Sequence, residues 1–230
     1  MVTLLHRASR AVIDVLFPPQ CALCGRGGSL LCGRCAEGLV PAAGSRCDNC
    51  WRPSARPRCR DCTAGPPAFS SVRAAFVMDG DARRLVHELK YQGLSALGHP
   101  MARLMAAALD PADAELVAPV PLHRGRQRSR GYNQPDELAR HLATLLGLPY
   151  ERGAARRVRA TAPLARSQGR DERRRIVAGA FAAVPGRVRG RRILLVDDVV
   201  TTGATLDACA RALRDAGAAD VRGLAFARAD

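Results

Sequence analysis

The stretch Ile193–Thr205, ILLVDDVVTTGAT, decides how the chain is read. Ile193, Leu194, Leu195 and Val196 form a short apolar run without alternation, as expected of a strand buried on both faces of a parallel sheet. Two carboxylates, Asp197 and Asp198, follow at its carboxyl end. Thr201, Thr202, Gly203, Ala204 and Thr205 then lead into a segment whose Leu206, Cys209, Ala210 and Leu213 share one helical face. Strand, loop and helix in this order aim backbone N–H groups and a positive helix end at a phosphate. Gly203 permits a close backbone approach. A carboxylate pair beside such a loop repels a bare phosphate. It suits a ligand that also presents hydroxyls, or a magnesium ion, near that phosphate, as a ribose 5-phosphate does.

Outward from this stretch the pattern is α/β. Strands are expected at Val72–Met78, Leu116–Val120, around Val158, and at Ala180–Val184, Arg192–Val196 and Val221–Arg228. Helices are expected at Asp81–Tyr91, Ser95–Leu109, Gln134–Leu146 and Ala204–Ala216. In an open parallel sheet, ligands bind at the carboxyl ends of strands. A second such end is Val120-Pro121-Leu122-His123-Arg124, which opens a loop with arginines at 124, 126, 128 and 130. Arginine's planar fork binds phosphate oxygens bidentately. Lys90 is the only lysine among 36 basic residues and ends a helix, where a cation also has a plain electrostatic reason to sit.

The N-terminal third reads differently. Eight of the nine cysteines form Cys-x-x-Cys pairs: Cys21/Cys24, Cys32/Cys35, Cys47/Cys50 and Cys59/Cys62. One such knuckle offers two thiolates from one turn, and a tetrahedral zinc site takes two knuckles. Four knuckles therefore supply two closed, structural zinc sites. Few large apolar residues lie among them, so metal binding would provide the missing stability. A disulfide framework and an iron–sulfur site are the competing readings. First-with-second and third-with-fourth pairing is preferred, with interleaved pairing open. Trp51 reads as packing, or as an exposed stacking residue, and Cys209 as a small core residue.

The 230 residues allow one medium domain plus a small one. Aromatics are only 4%, so the core must rest on Ala, Leu and Val. No apolar run approaches the roughly 20 residues of a membrane span. Residues 1–17 lack the apolar centre of a signal peptide and carry Leu4, Leu5, Ala8, Val12, Val15 and Leu16 at helical spacing. The expected organisation is an N-terminal helix over 1–17, a cysteine module over 18–66 and an α/β domain over 67–230, in the cytoplasm.

The thirteen-residue run resembles the PRPP-binding motif of type I phosphoribosyltransferases. With PVPLHRGRQRSRGYNQ (Pro119–Gln134), KYQG (Lys90–Gly93) and the cysteine module, nearly the whole chain resembles the ComF family. That family joins an N-terminal double zinc ribbon to a phosphoribosyltransferase-like domain and is associated with competence. The resemblance implies a type I phosphoribosyltransferase-like parallel sheet flanked by helices. It implies that Asp197 and Asp198 contact the ribose hydroxyls of phosphoribosyl pyrophosphate (PRPP), with Mg2+. It assigns Val199, Val200, Thr201, Thr202, Gly203, Ala204 and Thr205 to the 5-phosphate, places the pyrophosphate-binding loop near Pro121, Leu122, His123, Arg124 and Arg126, and adds Lys90 to the PRPP-binding residues. Arg173, on a loop over Thr161–Phe181 that closes the site, joins Arg124 and Arg126 as a candidate to neutralise departing pyrophosphate. Within that loop the sequence departs from the family pattern: Ile176 stands where Asn is common, and Gln168 is off its spacing from Arg173. Phe226 and Tyr132 are the candidates for a base-stacking hood.

Three functional readings are compatible with these motifs. One is an active phosphoribosyltransferase in nucleotide or base metabolism. The second is a PRPP-binding accessory of DNA uptake that meets single-stranded DNA or the import machinery. The third is a non-catalytic zinc-scaffolded interaction protein. The formal charge of +15 bears on them. Residues 117–192 hold 18 arginines against 5 acidic residues and so carry +13 of it. The excess lies between the two ligand-binding strand ends, which points first to a polyphosphate sugar and then to nucleic acid.

Overall fold

The computed structural model describes residues 18–91, 94–109, 114–161 and 169–229. The expected helix over 1–17, Gln92 and Gly93, the Arg130 side chain, and 162–168 of the closing loop (Gln168 among them) lie outside the described residues. Packing divides the chain into two compact units, Met1–Leu39 and Val40–Asp230.

In the first unit, Gln20 bridges Gly27 and a one-turn helix, α1 (Gly33–Glu37), follows Cys32. This loop and helix hold Cys21, Cys24, Cys32 and Cys35 together. The larger unit opens with the same device, a bridge from Arg46 to Pro53 and a short helix, α2 (Arg60–Ala64). Here Cys47, Cys50, Cys59 and Cys62 converge. Pairing is sequential in both.

The strands are β1 (Ser71–Val77), β2 (Leu116–Pro119), β3 (Ala155–Arg157), β4 (Phe181–Ala183), β5 (Arg192–Val200) and β6 (Asp220–Arg228). Four of them make a wholly parallel sheet in the order β1-β6-β5-β2, while β3 and β4 form a separate antiparallel hairpin. Parallel neighbours need crossover helices. These are α3 (Gly80–Tyr91), α4 (Gly98–Ala107), α5 (Arg124–Arg130), α6 (Gln134–Leu146), α7 (Arg170–Val177), α8 (Pro185–Val188) and α9 (Ala204–Asp215).

Side chains alternate across the sheet. Ile193, Leu195, Val221 and Ala225 bury against Leu206, Cys209 and Leu213 of α9. The alternate positions Leu194, Val196, Leu224 and Phe226 are at most 1% exposed and point to the other layer, where α4 and α6 pack on the sheet and on each other. Each edge strand carries a short extra partner. Residues 40–42 run antiparallel to β1, with Ala42 N–H bonded to the Ala75 carbonyl and Val77 N–H to the Val40 carbonyl. Residues 149–151 flank β2 in the parallel sense, with Val117 N–H bonded to the Pro149 carbonyl and Glu151 N–H to the Val117 carbonyl.

Several elements differ from expectation. The helix expected at Ser95–Leu109 is a 3-10 turn, Ser95–Leu97, followed by α4. Gly98 at the junction lies where a Cβ would come within 3.1 Å of Glu137 Cβ, so the glycine lets α4 approach α6 closely at this point. Pro100 then sits in the first turn, where its missing N–H costs nothing. The strand expected to end at Val196 runs on to Val200, because β6 continues alongside it: Asp197 pairs with Ala225, Val199 with Ala227 and Val200 with Arg228. The arginine loop after His123 is the helix α5, and a second unexpected helix, α7, occupies the closing segment. Asp171 and Glu172 in the first turn of α7 and Arg174 and Arg175 in its last complement the helix dipole.

Candidate functional site

The carboxyl ends of β2 and β5 open on a cleft of about 280 Å³. Among the anticipated residues, Lys90, Pro121, Leu122, Arg126, Arg173, Asp197, Asp198, Val199, Thr201 and Thr205 line it. Val120, from the second strand end, lines it as well, as do Gln134, Pro135 and Arg157, which sequence reasoning did not single out. A smaller hollow beside it is walled by Asp197, Val199, Val200, Thr201, Thr202, Gly203, Ala204 and Thr205. The residues that the sequence reading expects to hold a phosphate are the ones that wall this second hollow. The loop proper begins at Thr201, since Val199 and Val200 still belong to β5.

Gly203 takes φ +78° and serves as the N-cap of α9. A side chain there would be strained by the backbone, and its Cβ would touch the Phe69 ring at 3.6 Å. Thr202 Oγ1 accepts from Ala204 N–H at 3.4 Å. The α9 dipole thus opens on the hollow. Arg173 Nη1 donates to Thr201 Oγ1 at 2.9 Å, so α7 reaches across to the loop.

Asp197 and Asp198 are 8% and 7% exposed. Lys90 Nζ lies 2.7 Å from Asp198 Oδ2, and Asp197 Oδ1 accepts from the Asp198 backbone N–H at 2.9 Å. Burial, reinforced by the neighbouring Asp198 charge, pushes the Asp197 carboxyl well above the ordinary carboxylate range. The pair therefore calls for added positive charge. Arg157 faces it from the end of β3. Burial, with the Arg126 charge beside it, lowers the Arg157 guanidinium from its usual value, while Asp197 opposes that shift. Its Nε is a buried donor with no hydrogen-bond partner among the described residues, its Nη2 donates to Thr161, and its guanidinium lies 5.2 Å from the Phe181 ring centre. What singles out Arg157 is the hairpin register, which pairs it with the buried Phe181 and is not visible in the sequence.

Other anticipated residues lie elsewhere. His123 caps α5, its Nδ1 accepting from Gly125 N–H at 3.3 Å. Arg124 and Arg128 are exposed, because a helix turns alternate residues to different sides; among the described side chains of the run, Arg126 is the arginine that lines the cleft. Arg126 Nη2 is held by the Thr161 carbonyl at 2.9 Å. Phe226 is fully buried against Phe76 with ring centres 5.1 Å apart, and Tyr132 donates its hydroxyl to the Leu89 carbonyl. Phe226 is therefore a core residue and not a stacking surface. Ile176, on α7, offers its carbonyl to Arg159 Nη2 at 3.0 Å. Trp51 packs: its Nε1 donates to the Ala42 carbonyl at 3.0 Å and Arg73 covers its ring at 4.3 Å.

The cysteine clusters are metal centres in their geometry. The four Sγ atoms of each lie within 4.8 Å of one another. Zinc–thiolate bonds of about 2.3 Å in a tetrahedron set sulfurs about 3.8 Å apart. Cys24–Cys32 at 3.8 Å and Cys50–Cys59 at 3.7 Å match that edge. Burial works against the thiolate of Cys21, but the backbone N–H groups of Cys32, Cys24 and Leu23 outweigh it and bring the thiol down to about 6. Cys47 is treated alike by Cys59, Cys50 and Asn49, also to about 6. Each centre offers four cysteine ligands, the full set of a closed, structural tetrahedral zinc site.

Comparison with known proteins matches the double zinc ribbon domain to residues 12–63 and the phosphoribosyl transferase domain to residues 136–229. The DNA utilization protein YhgH of Salmonella typhimurium is 32% identical over 89% of this chain and 95% of its own. Competence protein F of Haemophilus influenzae is 33% identical over 63% of this chain and 67% of its own. Among solved structures, the glutamine phosphoribosylpyrophosphate amidotransferase of B. subtilis aligns over 61% of this chain and 30% of that one, at 23% identity and a TM-score of 0.43.

Proposed function

This chain belongs to the ComF family, and on that premise we propose that it binds PRPP with Mg2+ and serves DNA uptake. One observation carries the reading. A buried carboxylate pair and three inward arginines line one cleft, and a glycine-turned loop at a helix N-terminus lines the hollow beside it, with Asp197, Thr201 and Thr205 common to both.

The residues divide the ligand among them. The N–H groups and hydroxyls of Thr201–Thr205 take the 5-phosphate. Asp197 and Asp198 accept from the ribose 2- and 3-hydroxyls. Arg126, Arg157 and Arg173 face the pyrophosphate, whose oxygens suit a planar guanidinium. The carboxylates offer the hard oxygen donors that magnesium takes, and the ion, when bound, screens the pyrophosphate charge. Lys90, already paired with Asp198 at 2.7 Å, places a cation beside the carboxylates at the same cleft. Neutralising a departing pyrophosphate is what a transferase needs at ribose C1, so the same contacts serve binding and turnover.

DNA contact is the second part of the proposal. Arg124, Arg128, Arg152, Arg156, Arg159 and Arg175 are exposed, and the relatives are named for competence and DNA utilization. With few aromatics available for stacking, single-strand binding through these residues would weaken steeply with salt. No described helix is long and apolar enough to cross a membrane. A cytoplasmic location belongs to the same proposal.

Calorimetric titration with PRPP and Mg2+ tests the pocket. Wild type binds; Asp197→Ala/Asp198→Ala does not. Arg126→Met and Arg173→Met each weaken binding on the order of 10-fold, the worth of one charge-assisted bond, whereas Arg124→Met leaves it within about 2-fold. No heat in wild type, or undiminished binding in the double aspartate variant, would remove the assignment. Pyrophosphate release across a panel of bases then separates an enzyme from a binding accessory.

A further inference from the structure

We propose that Arg228 is a strut joining the second four-cysteine centre to the phosphate loop, so that zinc at one and PRPP at the other strengthen each other's binding. The inference rests on the PRPP reading above. Arg228 ends β6 and is 1% exposed, a position an arginine takes only when its donors are met. Its Nη1 donates to the carbonyl of Cys50 at 2.6 Å and its Nη2 to the carbonyl of Thr201 at 2.8 Å. One rigid, planar group thus holds the backbone of a metal ligand and the backbone of the first loop residue.

Both ends matter chemically. Cys50 is 4% exposed, and its Sγ belongs to the Cys47/Cys50/Cys59/Cys62 cluster, so loss of the ion frees the turn that carries its carbonyl. Thr201 lines the cleft and receives Arg173. A second track runs beside the strut. Asn49, inside the same knuckle, accepts from Val72 N–H at 2.7 Å and donates to the Ser70 carbonyl at 2.8 Å. The neighbouring Phe69 forms the floor under Gly203. The centre therefore supports the loop from two sides and is more than a fold staple. It is a metal site whose occupancy sets the geometry of an anion site, and coupling of this kind is reciprocal by linkage. Arg228 is a positioning residue here, since it acts on the ligand through Thr201.

The test is an equilibrium competition on the full chain against a zinc chelator of known affinity, with and without saturating PRPP and excess Mg2+. Two zinc steps are expected in wild type, and Cys24→Ser identifies the one belonging to the first centre. PRPP should tighten the second-centre step about 5-fold or more. Arg228→Met should abolish that shift, while Arg228→Lys, which retains a single donor group, should restore part of it. A purely structural arginine would change stability and leave the linkage intact. Should Arg228→Met not fold, wild type stripped of its second zinc must bind PRPP correspondingly more weakly by calorimetry. An unshifted second step in a wild type that binds PRPP overturns the proposal, and so does an undiminished shift in folded Arg228→Met. A wild type with a flat PRPP calorimetric trace overturns the PRPP reading and this inference together, and so is told apart from failure of the coupling alone.

Discussion

Replacing Lys90 by Met keeps most of the side-chain volume and removes the one cation that the structure pairs with Asp198 at 2.7 Å. Two unit charges about 4 Å apart attract by about 4 kcal/mol at an effective dielectric near 20. Stripping one partner from a fully buried pair costs about 3–5 kcal/mol. Here the side chains retain 21% and 10% exposure, so water screens part of the interaction and about 2–3 kcal/mol remains. With a urea slope of about 2–3 kcal/mol per molar, the unfolding midpoint should fall by about 1 M. Trp51, the only tryptophan, lies in the same compact unit as the pair and reports the transition by fluorescence. Wild type, Lys90→Met, Asp198→Asn and the double variant complete a cycle with a coupling of about 2–3 kcal/mol. A coupling below about 0.5 kcal/mol, the range of independent sites, would refute the claim that the chain's one lysine is held for the acidic pair.

Asp197→Asn should stabilise the protein at pH 7 by on the order of 1–3 kcal/mol. The folded carboxyl holds its proton to higher pH than the unfolded one, so wild-type stability falls as pH rises from the unfolded pKa near 4 through the folded value. The advantage of the Asn variant should vanish at pH 3.5 and be full at neutrality; urea midpoints that shift equally at both pH values would contradict this. Gly223→Ala places a methyl 2.8 Å from Val72 Cγ2 and should cost about 1–3 kcal/mol in thermal or urea unfolding, with Val72→Ala recovering most of it. A non-rescued double variant would locate the strain elsewhere. Cys50→Ser should reduce bound zinc from two ions to one and lower the Trp51-reported melting temperature on the order of 10 °C. Metal analysis and a melt check both, and an unchanged melt with one zinc lost would deny the second centre its part in the core.

The residues that a local pattern governs were legible. Ile193–Val196 lack alternation because helices cover both sheet faces, and sequence registers that directly. Cys-x-x-Cys spacing is a property of one turn, so the ligands could be named, and the preferred sequential pairing is the one observed. What depended on partners far along the chain was not legible. Asp197 and Asp198 lie within a strand because β6 extends to Arg228, which no reading of 193–205 reveals. Arg124–Arg130 holds glycine, serine and four arginines, a composition that suits a turn, yet the His123 cap and the packing around it make a helix. Arg156, Arg157 and Arg159 look interchangeable in sequence, and only pairing with β4 shows that Arg157 turns inward. Arg228, the last residue of its strand, carries no local signal for the two carbonyls it holds.

The extra partner along β1 has a consequence for how the protein can be divided. Gly65-Pro66-Pro67 looks like a place to cut, and a fragment beginning there would keep every strand of the parallel sheet. It would lose residues 40–42, however, and leave the outer side of β1 with unpaired N–H and C=O groups along an apolar run. Such an edge invites pairing with another copy of itself. The isolated sheet domain should therefore self-associate and precipitate, and shortened versions that remain monodisperse should be those that begin before Val40.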